Sequence, residues 1–126
     1  MKKILLVEDD PFLIDIYEKK LKDAGFKVKV VKDGEEALAI LKEKEFDLML
    51  LDIVLPKIDG WKILEEIREM KKNKKDLKKM KIVIWSNLGE KEDIKKGISL
   101  GVSAYLIKAN FTPSEVVREI EKILKH

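Results

Sequence analysis

A short apolar run that ends in a carboxylate limits the folds open to this chain more than any other feature. The run lies within residues 46–52, where four large apolar residues in succession are followed directly by Asp52. Because apolar and polar residues do not alternate, both faces of such a strand must be covered, as in the middle of a parallel sheet between two helical layers. Ligands bind beyond the carboxyl ends of the strands in these sheets. The sequence therefore predicts a central parallel strand with Asp52 as a candidate functional residue at its end.

The rest of the chain alternates between strand-like and helix-like patterns. The other predicted strands cover residues 2–7, 27–31, 82–85 and 103–107. Apolar residues at helical spacing follow each strand, and Gly, Pro or capping residues separate the segments. Asp10 in front of Pro11 predicts the start of the first helix. Five strands alternating with five helices predict a single doubly wound α/β sheet.

Residues 71–80 interrupt this alternation. They carry six lysines, and the helical periodicity of the preceding segment is lost in them. We expect a solvated, mobile extension of the third helix there, since charged connecting segments usually lie at the surface.

The carboxyl edge of the predicted sheet, where all five parallel strands end, collects polar residues from four strands. Right-handed crossovers bring these strand ends to the same side of the molecule. Glu8 and Asp9 follow the first strand, Asp52 the third, Ser86 the fourth and Lys108 the fifth. Four separate segments of the chain therefore contribute to one candidate site.

The residue types at the carboxyl edge indicate a divalent metal and a phosphoryl group. Carboxylates that lie close together repel one another unless a cation sits among them. Oxygen ligands without His or Cys suit Mg²⁺. Lys108 supplies a positive charge for a phosphoryl group and Ser86 a hydrogen bond. Asp52 is then either a further ligand or a nucleophile that becomes an aspartyl phosphate.

Four motifs in this order resemble the receiver domain of bacterial two-component response regulators. The motifs are Ile4-Leu5-Leu6-Val7-Glu8-Asp9-Asp10, Leu50-Leu51-Asp52-Ile53-Val54-Leu55-Pro56 with Asp59-Gly60, Ile84-Trp85-Ser86-Asn87, and Ala104-Tyr105-Leu106-Ile107-Lys108. The resemblance runs over essentially the whole chain. It implies a flavodoxin-like (βα)5 fold with strand order 2-1-3-4-5. We expect residues 1–126 to form one receiver domain with no effector domain.

The resemblance implies that Asp52 accepts a phosphoryl group. The donor would be a histidine kinase or a phosphotransfer protein. Glu8 and Asp9 would hold Mg²⁺, with Asp52 and the main-chain carbonyl of Val54 as further ligands. Enzymatic activity would be limited to self-catalysed phosphoryl transfer and slow autodephosphorylation, in which positioning and charge neutralisation do most of the work.

The resemblance also implies a switch. Ser86 would reach toward the phosphoryl oxygen, Lys108 would pair with the phosphoryl group or with Asp52, and Tyr105 would turn inward as Ser86 moves. The helix over residues 90–100, the fifth strand and the last helix would form the output face. That face would bind an unknown downstream protein, with the chain a monomer or a phosphorylation-dependent dimer.

Three residues depart from the family pattern. Ala109 follows Lys108 where the family usually has a cis proline, and a non-proline cis bond costs about 3 kcal/mol, so this loop is either trans or strained. Val54 and Leu88 are apolar where some members carry polar groups that assist water. We therefore predict a long-lived phosphoryl-aspartate.

Composition excludes several other classes of function. Without cysteine there are no disulfides, thiolate metal sites or cysteine nucleophiles. The 27 basic and 24 acidic residues are intermixed, and only Arg68 and Arg118 are arginines, so we expect no direct contact with nucleic acid. The apolar runs are too short to span a membrane, and we expect a cytoplasmic protein.

Three other functions are compatible with an α/β sheet of this kind. A receiver-like module that binds partners without phosphorylation is the main one, suggested by Ala109. A metal-dependent phosphatase with an aspartate nucleophile would need a second acid at the position of Val54. A flavin or nucleotide binder would need a glycine- or hydroxyl-rich loop after the first strand, where acids stand instead.

Overall fold

The computed structural model describes residues 1–125, apart from the side chain of Asp76. His126, the last residue of the predicted domain, lies outside the described residues. Within them, no helix combines the length and the apolar character needed to cross a membrane.

Five parallel strands form one sheet. They are β1 (Lys3–Val7), β2 (Lys27–Val31), β3 (Leu48–Leu51), β4 (Lys81–Ser86) and β5 (Ala104–Ile107). Their order is β2-β1-β3-β4-β5, and every neighbouring pair is parallel. The predicted doubly wound fold with strand order 2-1-3-4-5 is confirmed.

Helices cover both faces of the sheet. They are α1 (Pro11–Asp23), α2 (Gly34–Glu43), α3 (Gly60–Lys71), α4 (Lys75–Lys78), α5 (Lys91–Ser99) and α6 (Pro113–Lys125). Four of the six described helices, α1, α2, α3 and α6, start at a hydrogen-bonded polar cap. The Asp10 carboxylate accepts hydrogen bonds from the first turn of α1, as predicted for its helix cap. At α6, Thr112 and Glu115 bond each other's main-chain N–H groups in a capping box.

Burial on both faces of the sheet explains why apolar and polar residues do not alternate along the central strand, β3. All four residues of β3 are fully buried, because Met49 and Leu51 pack into one apolar cluster and Leu48 and Leu50 into another on the opposite face. We call these the α2/α3 cluster and the α1/α6 cluster, after the helices that supply their outer walls. The strand begins two residues later than the predicted run, since Asp47 precedes it and its carboxylate accepts the Lys3 main-chain N–H.

The predicted helix extension over residues 71–80 is wrong as a continuous helix, although most side chains described in this segment are exposed as expected. Instead α3 ends at Lys71, and a separate turn, α4, follows it. Leu77 and Met80 are buried in the α2/α3 cluster. The Lys74 ammonium donates to main-chain carbonyls at the end of α2, where the helix dipole favours a positive charge. Two apolar residues among many lysines give too weak a periodic signal to reveal this packing.

Candidate functional site

The end of β1 holds the Glu8 side chain in a fixed orientation. Glu8 is only 1% exposed, and its main-chain N–H donates to the Val31 carbonyl at the end of β2. One carboxylate oxygen, Oε2, accepts the N–H groups of Asp9 and Asp10 at 3.0 and 3.2 Å. The other, Oε1, accepts a hydrogen bond from Lys108. Both oxygens of this buried carboxylate are therefore bound.

The end of β3 places Asp52 beside Glu8. Asp52 is 5% exposed, and its main-chain N–H donates to the Val7 carbonyl of β1. Its Oδ1 accepts the Val54 N–H at 3.1 Å, and its Oδ2 accepts the Lys108 ammonium at 2.9 Å. The exposed Asp9 completes the group: a carboxylate oxygen from each of Glu8, Asp9 and Asp52 lies within 4.8 Å of the other two.

Lys108 joins two of these acids. Its Nζ lies 2.6 Å from Glu8 Oε1 and 2.9 Å from Asp52 Oδ2, and the side chain is 14% exposed. Burial acts to lower the pKa of Lys108, but the hydrogen bonds and charges of Glu8 and Asp52 outweigh it and raise the pKa above 10.5. The ammonium is thus retained as a positive charge among the carboxylates.

Burial dominates the protonation of Glu8. It raises the pKa above 4.5, the hydrogen bond from Lys108 opposes this, and repulsion by Asp52 adds to the rise. The Lys108 ammonium therefore does not fully offset the cost of burying the Glu8 charge. A second cation is the natural complement of this site, and three carboxylates without His or Cys fit a hard divalent ion such as Mg²⁺.

Ser86 and Tyr105, the predicted switch residues, meet at the same peptide segment. Ser86 is fully buried, and its Oγ accepts the Leu88 N–H at 3.3 Å. The Tyr105 hydroxyl donates to the Leu88 carbonyl from the half-buried edge of β5. Burial, aided by nearby Asp93 and Asp52, raises the pKa of Tyr105 to about 12, so the hydroxyl keeps its proton. Leu88, in the loop after β4, is thus hydrogen-bonded by both Ser86 and Tyr105.

The remaining predicted site residues lie on the loops that leave the carboxyl edge. Val54 stands two residues after Asp52 with its side chain 60% exposed. Lys108 opens a short 3₁₀ turn, Lys108–Asn110, in which the peptide before Ala109 is trans. Of the two conformations left open for this loop, the structure adopts the trans one.

Two contacts at the site were not foreseen from the sequence. The Lys108 contact with Glu8 is shorter than its contact with Asp52, although only the latter was expected. Trp85 lies in the core, and the centre of its ring is also 4.5 Å from Lys108 Nζ. The only available signal was its position directly before Ser86, which does not report on the path of a lysine from another strand.

Similarities to known proteins agree with this geometry. Residues 4–121 match the family described as response regulator receiver domain. The transcriptional regulatory protein CpxR of Klebsiella pneumoniae subsp. pneumoniae (strain HS11286) is 37% identical over 125 residues, which cover 99% of this chain and 50% of that protein. The chain spans about half the length of the curated relatives it matches.

Solved structures show the same likeness. The BeF3-activated DrrB receiver domain has a TM-score of 0.84 and 27% identity, covering 100% of this chain and 99% of that one. The chemotaxis response regulator CheY4 of Vibrio cholerae has a TM-score of 0.86 and 25% identity, covering 98% of each chain. With the family match over residues 4–121, these likenesses show that the chain belongs to the response regulator receiver domains of two-component systems.

Proposed function

We propose that this chain is a phosphorylation-controlled switch in which Asp52 is the phosphoryl acceptor. The observation that carries the proposal is the position of the Asp52 carboxylate, which touches Lys108 at 2.9 Å and lies with Glu8 and Asp9 in one cluster. Glu8, Asp9, Asp52 and the main-chain carbonyl of Val54 would hold Mg²⁺. The ion would neutralise charge on the phosphoryl oxygens when bound.

The transfer itself requires little more than positioning. An Asp52 oxygen would form a bond to phosphorus while the phosphorus–nitrogen bond of a phosphohistidine breaks, and the leaving imidazole would take up a proton from solvent. Lys108 would turn from the carboxylates to a phosphoryl oxygen, and Ser86 would offer its hydroxyl to another. Positioning and charge neutralisation of this kind account for most of phosphoryl-transfer catalysis.

The proposed phosphoryl donor is a histidine kinase or a phosphotransfer protein, and the proposed receiver of the signal is a downstream protein. The switch would act through α5, β5 and α6. Ser86 and Tyr105 both bond Leu88, so withdrawal of the Ser86 hydroxyl toward a phosphoryl group would free one end of the segment that leads into α5. We further propose slow autodephosphorylation, because Val54 and Leu88 offer no polar group to attacking water.

Intact mass after incubation with Mg²⁺ and acetyl phosphate tests the acceptor. We expect one phosphoryl group on the parent protein and on Asp47→Asn, whose side chain lies at the opposite end of the central strand. Asp52→Asn should gain none. Equal labelling of all three proteins, or a parent that gains no mass and binds no beryllofluoride, would refute the proposal.

A phosphorylation-independent interaction module is the second candidate. It is favoured by one observation: Lys108 already contacts two of the acids, so part of the charge in the cluster is balanced without metal or phosphate. Mg²⁺-dependent binding of beryllofluoride separates the two functions. Tight binding supports the phosphorylated switch, and absence of binding by a folded protein supports the independent module.

A further inference from the structure

The Lys108 ammonium has three neighbours, and one of them is an aromatic ring. Besides Glu8 and Asp52, the ring centre of Trp85 lies 4.5 Å from Nζ. A lysine ammonium within about 6 Å of a ring centre is attracted by the negative face of the ring, most strongly where both are shielded from water. With Trp85 at 1% exposure and Lys108 at 14%, this contact is largely shielded.

The ring is held in place by its surroundings. Trp85 belongs to the α1/α6 cluster, and Tyr17 of α1 packs against it with ring centres 4.3 Å apart at 54°. Trp85 is also the residue before Ser86 in β4. The same strand end therefore supplies both the Ser86 hydroxyl and a rigid wall for the lysine that arrives from β5.

The contact of Lys108 with the Trp85 ring does not depend on the state of the carboxylates, whereas its contacts with Glu8 and Asp52 do. Glu8 and Asp52 are themselves candidates for binding a metal and a phosphoryl group, so either event changes their hydrogen bonds to Lys108. The contact with Trp85 requires neither carboxylate. A lysine side chain has four rotatable bonds and loses its position easily when its ion pairs change, unless another group restrains it.

We propose that Trp85 is a positioning residue that holds the Lys108 ammonium over the phosphoryl acceptor. This inference rests on the proposed function, because it gives Lys108 its role in phosphoryl transfer. Trp85 acts only through Lys108 and touches no reacting atom.

A double-mutant cycle tests whether Trp85 acts through Lys108. The four proteins are the parent, Trp85→Leu, Lys108→Met and the double variant, and the measurement is the rate of mass gain with Mg²⁺ and acetyl phosphate. We expect Trp85→Leu to slow the parent about tenfold and to have no further effect once Lys108 is methionine, because the cycle isolates the contact between the two residues. An equal slowing in both backgrounds would overturn the proposal, since it would show a purely structural role.

Two further variants separate the aromatic face from packing. Trp85→Phe keeps an aromatic ring and should recover most of the rate lost in Trp85→Leu. Trp61→Leu is the matched control: Trp61 carries Lys96 at 4.7 Å from its ring but lies outside the site, and its replacement should leave the rate unchanged. If Trp85→Leu does not fold, Trp85→Phe and Trp85→Met provide the same comparison, and equal rates for these two would overturn the proposal.

Nuclear magnetic resonance gives a readout that does not need phosphorylation. The Lys108 Hε protons beside Nζ should be shifted upfield by the Trp85 ring, partly so in Trp85→Phe, and should return to the range of exposed lysines in Trp85→Leu. An unshifted resonance in the parent would refute the placement. If the parent takes up no phosphoryl group, the proposed function fails, while this shift still decides whether Trp85 positions Lys108.

Discussion

At the scale of single residues, Glu8 is subject to opposing effects on its charge. Burial disfavours its charge, yet two main-chain N–H groups and one ammonium bind its oxygens. A buried charge is tolerated only when it is paired and hydrogen-bonded in this way. Because Lys108 contacts Oε1, a metal that binds Glu8 through that oxygen must displace or share the ammonium. The ion pair with Lys108 and a bound metal would therefore compete for one carboxylate.

The pH dependence of the free energy of unfolding should reveal the raised pKa of Glu8. Without divalent cations, we expect Glu8→Gln to gain free energy of unfolding relative to the parent as the pH rises from about 4 to about 8. Burial raises the folded-state pKa of Glu8 above 4.5, so the folded protein holds a proton that the unfolded chain has already released. The stability from that bound proton is fully present below the ordinary pKa of a glutamate and is lost as the pH rises through the raised pKa of the folded protein.

Urea unfolding at several pH values measures this difference. The exposed Glu65→Gln on α3 serves as the control for the loss of a surface carboxylate. A difference between Glu8→Gln and the parent that is constant with pH, or that shrinks as pH rises, would contradict the raised pKa.

At the scale of secondary-structure elements, the loop after β3 is tied to the start of α2. A Cβ added to Gly34 would lie 2.6 Å from the Ile58 carbonyl oxygen. In the same loop, Lys57 adopts a left-handed φ of 67° and pairs with Asp33 and Glu35. The N–H of Glu36 and the charge of Lys57 lower the pKa of Asp33, which caps α2. The segment that follows Asp52 is thus restrained by a neighbouring helix.

Alanine replacement of two glycines should show that a clash with backbone atoms destabilises the fold more than a clash with side-chain atoms. We expect Gly34→Ala to lower the free energy of unfolding by about 2 kcal/mol, because the Ile58 backbone cannot easily move away. Gly97→Ala in α5 should be nearly neutral. The added Cβ at position 97 would lie 2.9 and 3.0 Å from side-chain atoms of Ile84 and Tyr105. This crowding is offset because alanine favours the helix over glycine by about 1 kcal/mol.

Urea denaturation of both variants provides the measurement. Equal costs for the two substitutions would contradict this distinction, as would a Gly34→Ala variant as stable as the parent.

Sequence reasoning recovers the elements whose residues carry a strong local signal. The apolar residues of β3 and the cap at Asp10 each indicate their own conformation, and the alternation of strand-like and helix-like segments gives the fold and the carboxyl edge. Burial of Leu77 was missed because four residues of α4 are too few to show a period. The Trp85 contact with Lys108 was missed because it depends on where a long side chain crosses from β5 to β4.

At the scale of the whole molecule, the candidate site joins segments far apart in the sequence. Glu8, Asp52 and Lys108 directly follow β1, β3 and β5, so they meet only when the sheet is assembled. A ligand that binds this cluster therefore binds the folded state and not the unfolded chain. Its binding energy adds to the global stability.

Addition of Mg²⁺ should raise the melting temperature of the proposed switch. The expected gain in free energy of unfolding is about 2.7 kcal/mol at a free Mg²⁺ concentration of about 100 times Kd. Asp9→Asn should lose this response. Asp10→Asn should keep it, because Asp10 caps α1 and asparagine caps a helix equally well.

Thermal unfolding with Mg²⁺, and after its removal with a chelator, makes the comparison. Loss of the response in both variants, or in neither, would show that Mg²⁺ does not bind as proposed.

The division of the core by the sheet has a consequence for how such a sequence can change over time. Met49 and Leu51 contact one apolar cluster and Leu48 and Leu50 the other, so neighbours along the chain belong to different packing environments. Substitutions more than about 7–10 Å apart that share no partners act nearly independently, as do those in the outer parts of the two clusters. Each face can accumulate its own compensating replacements without reference to the opposite face. The helices on one side of the molecule are therefore free to diverge in lineages whose other side, with its own packing, stays as it was.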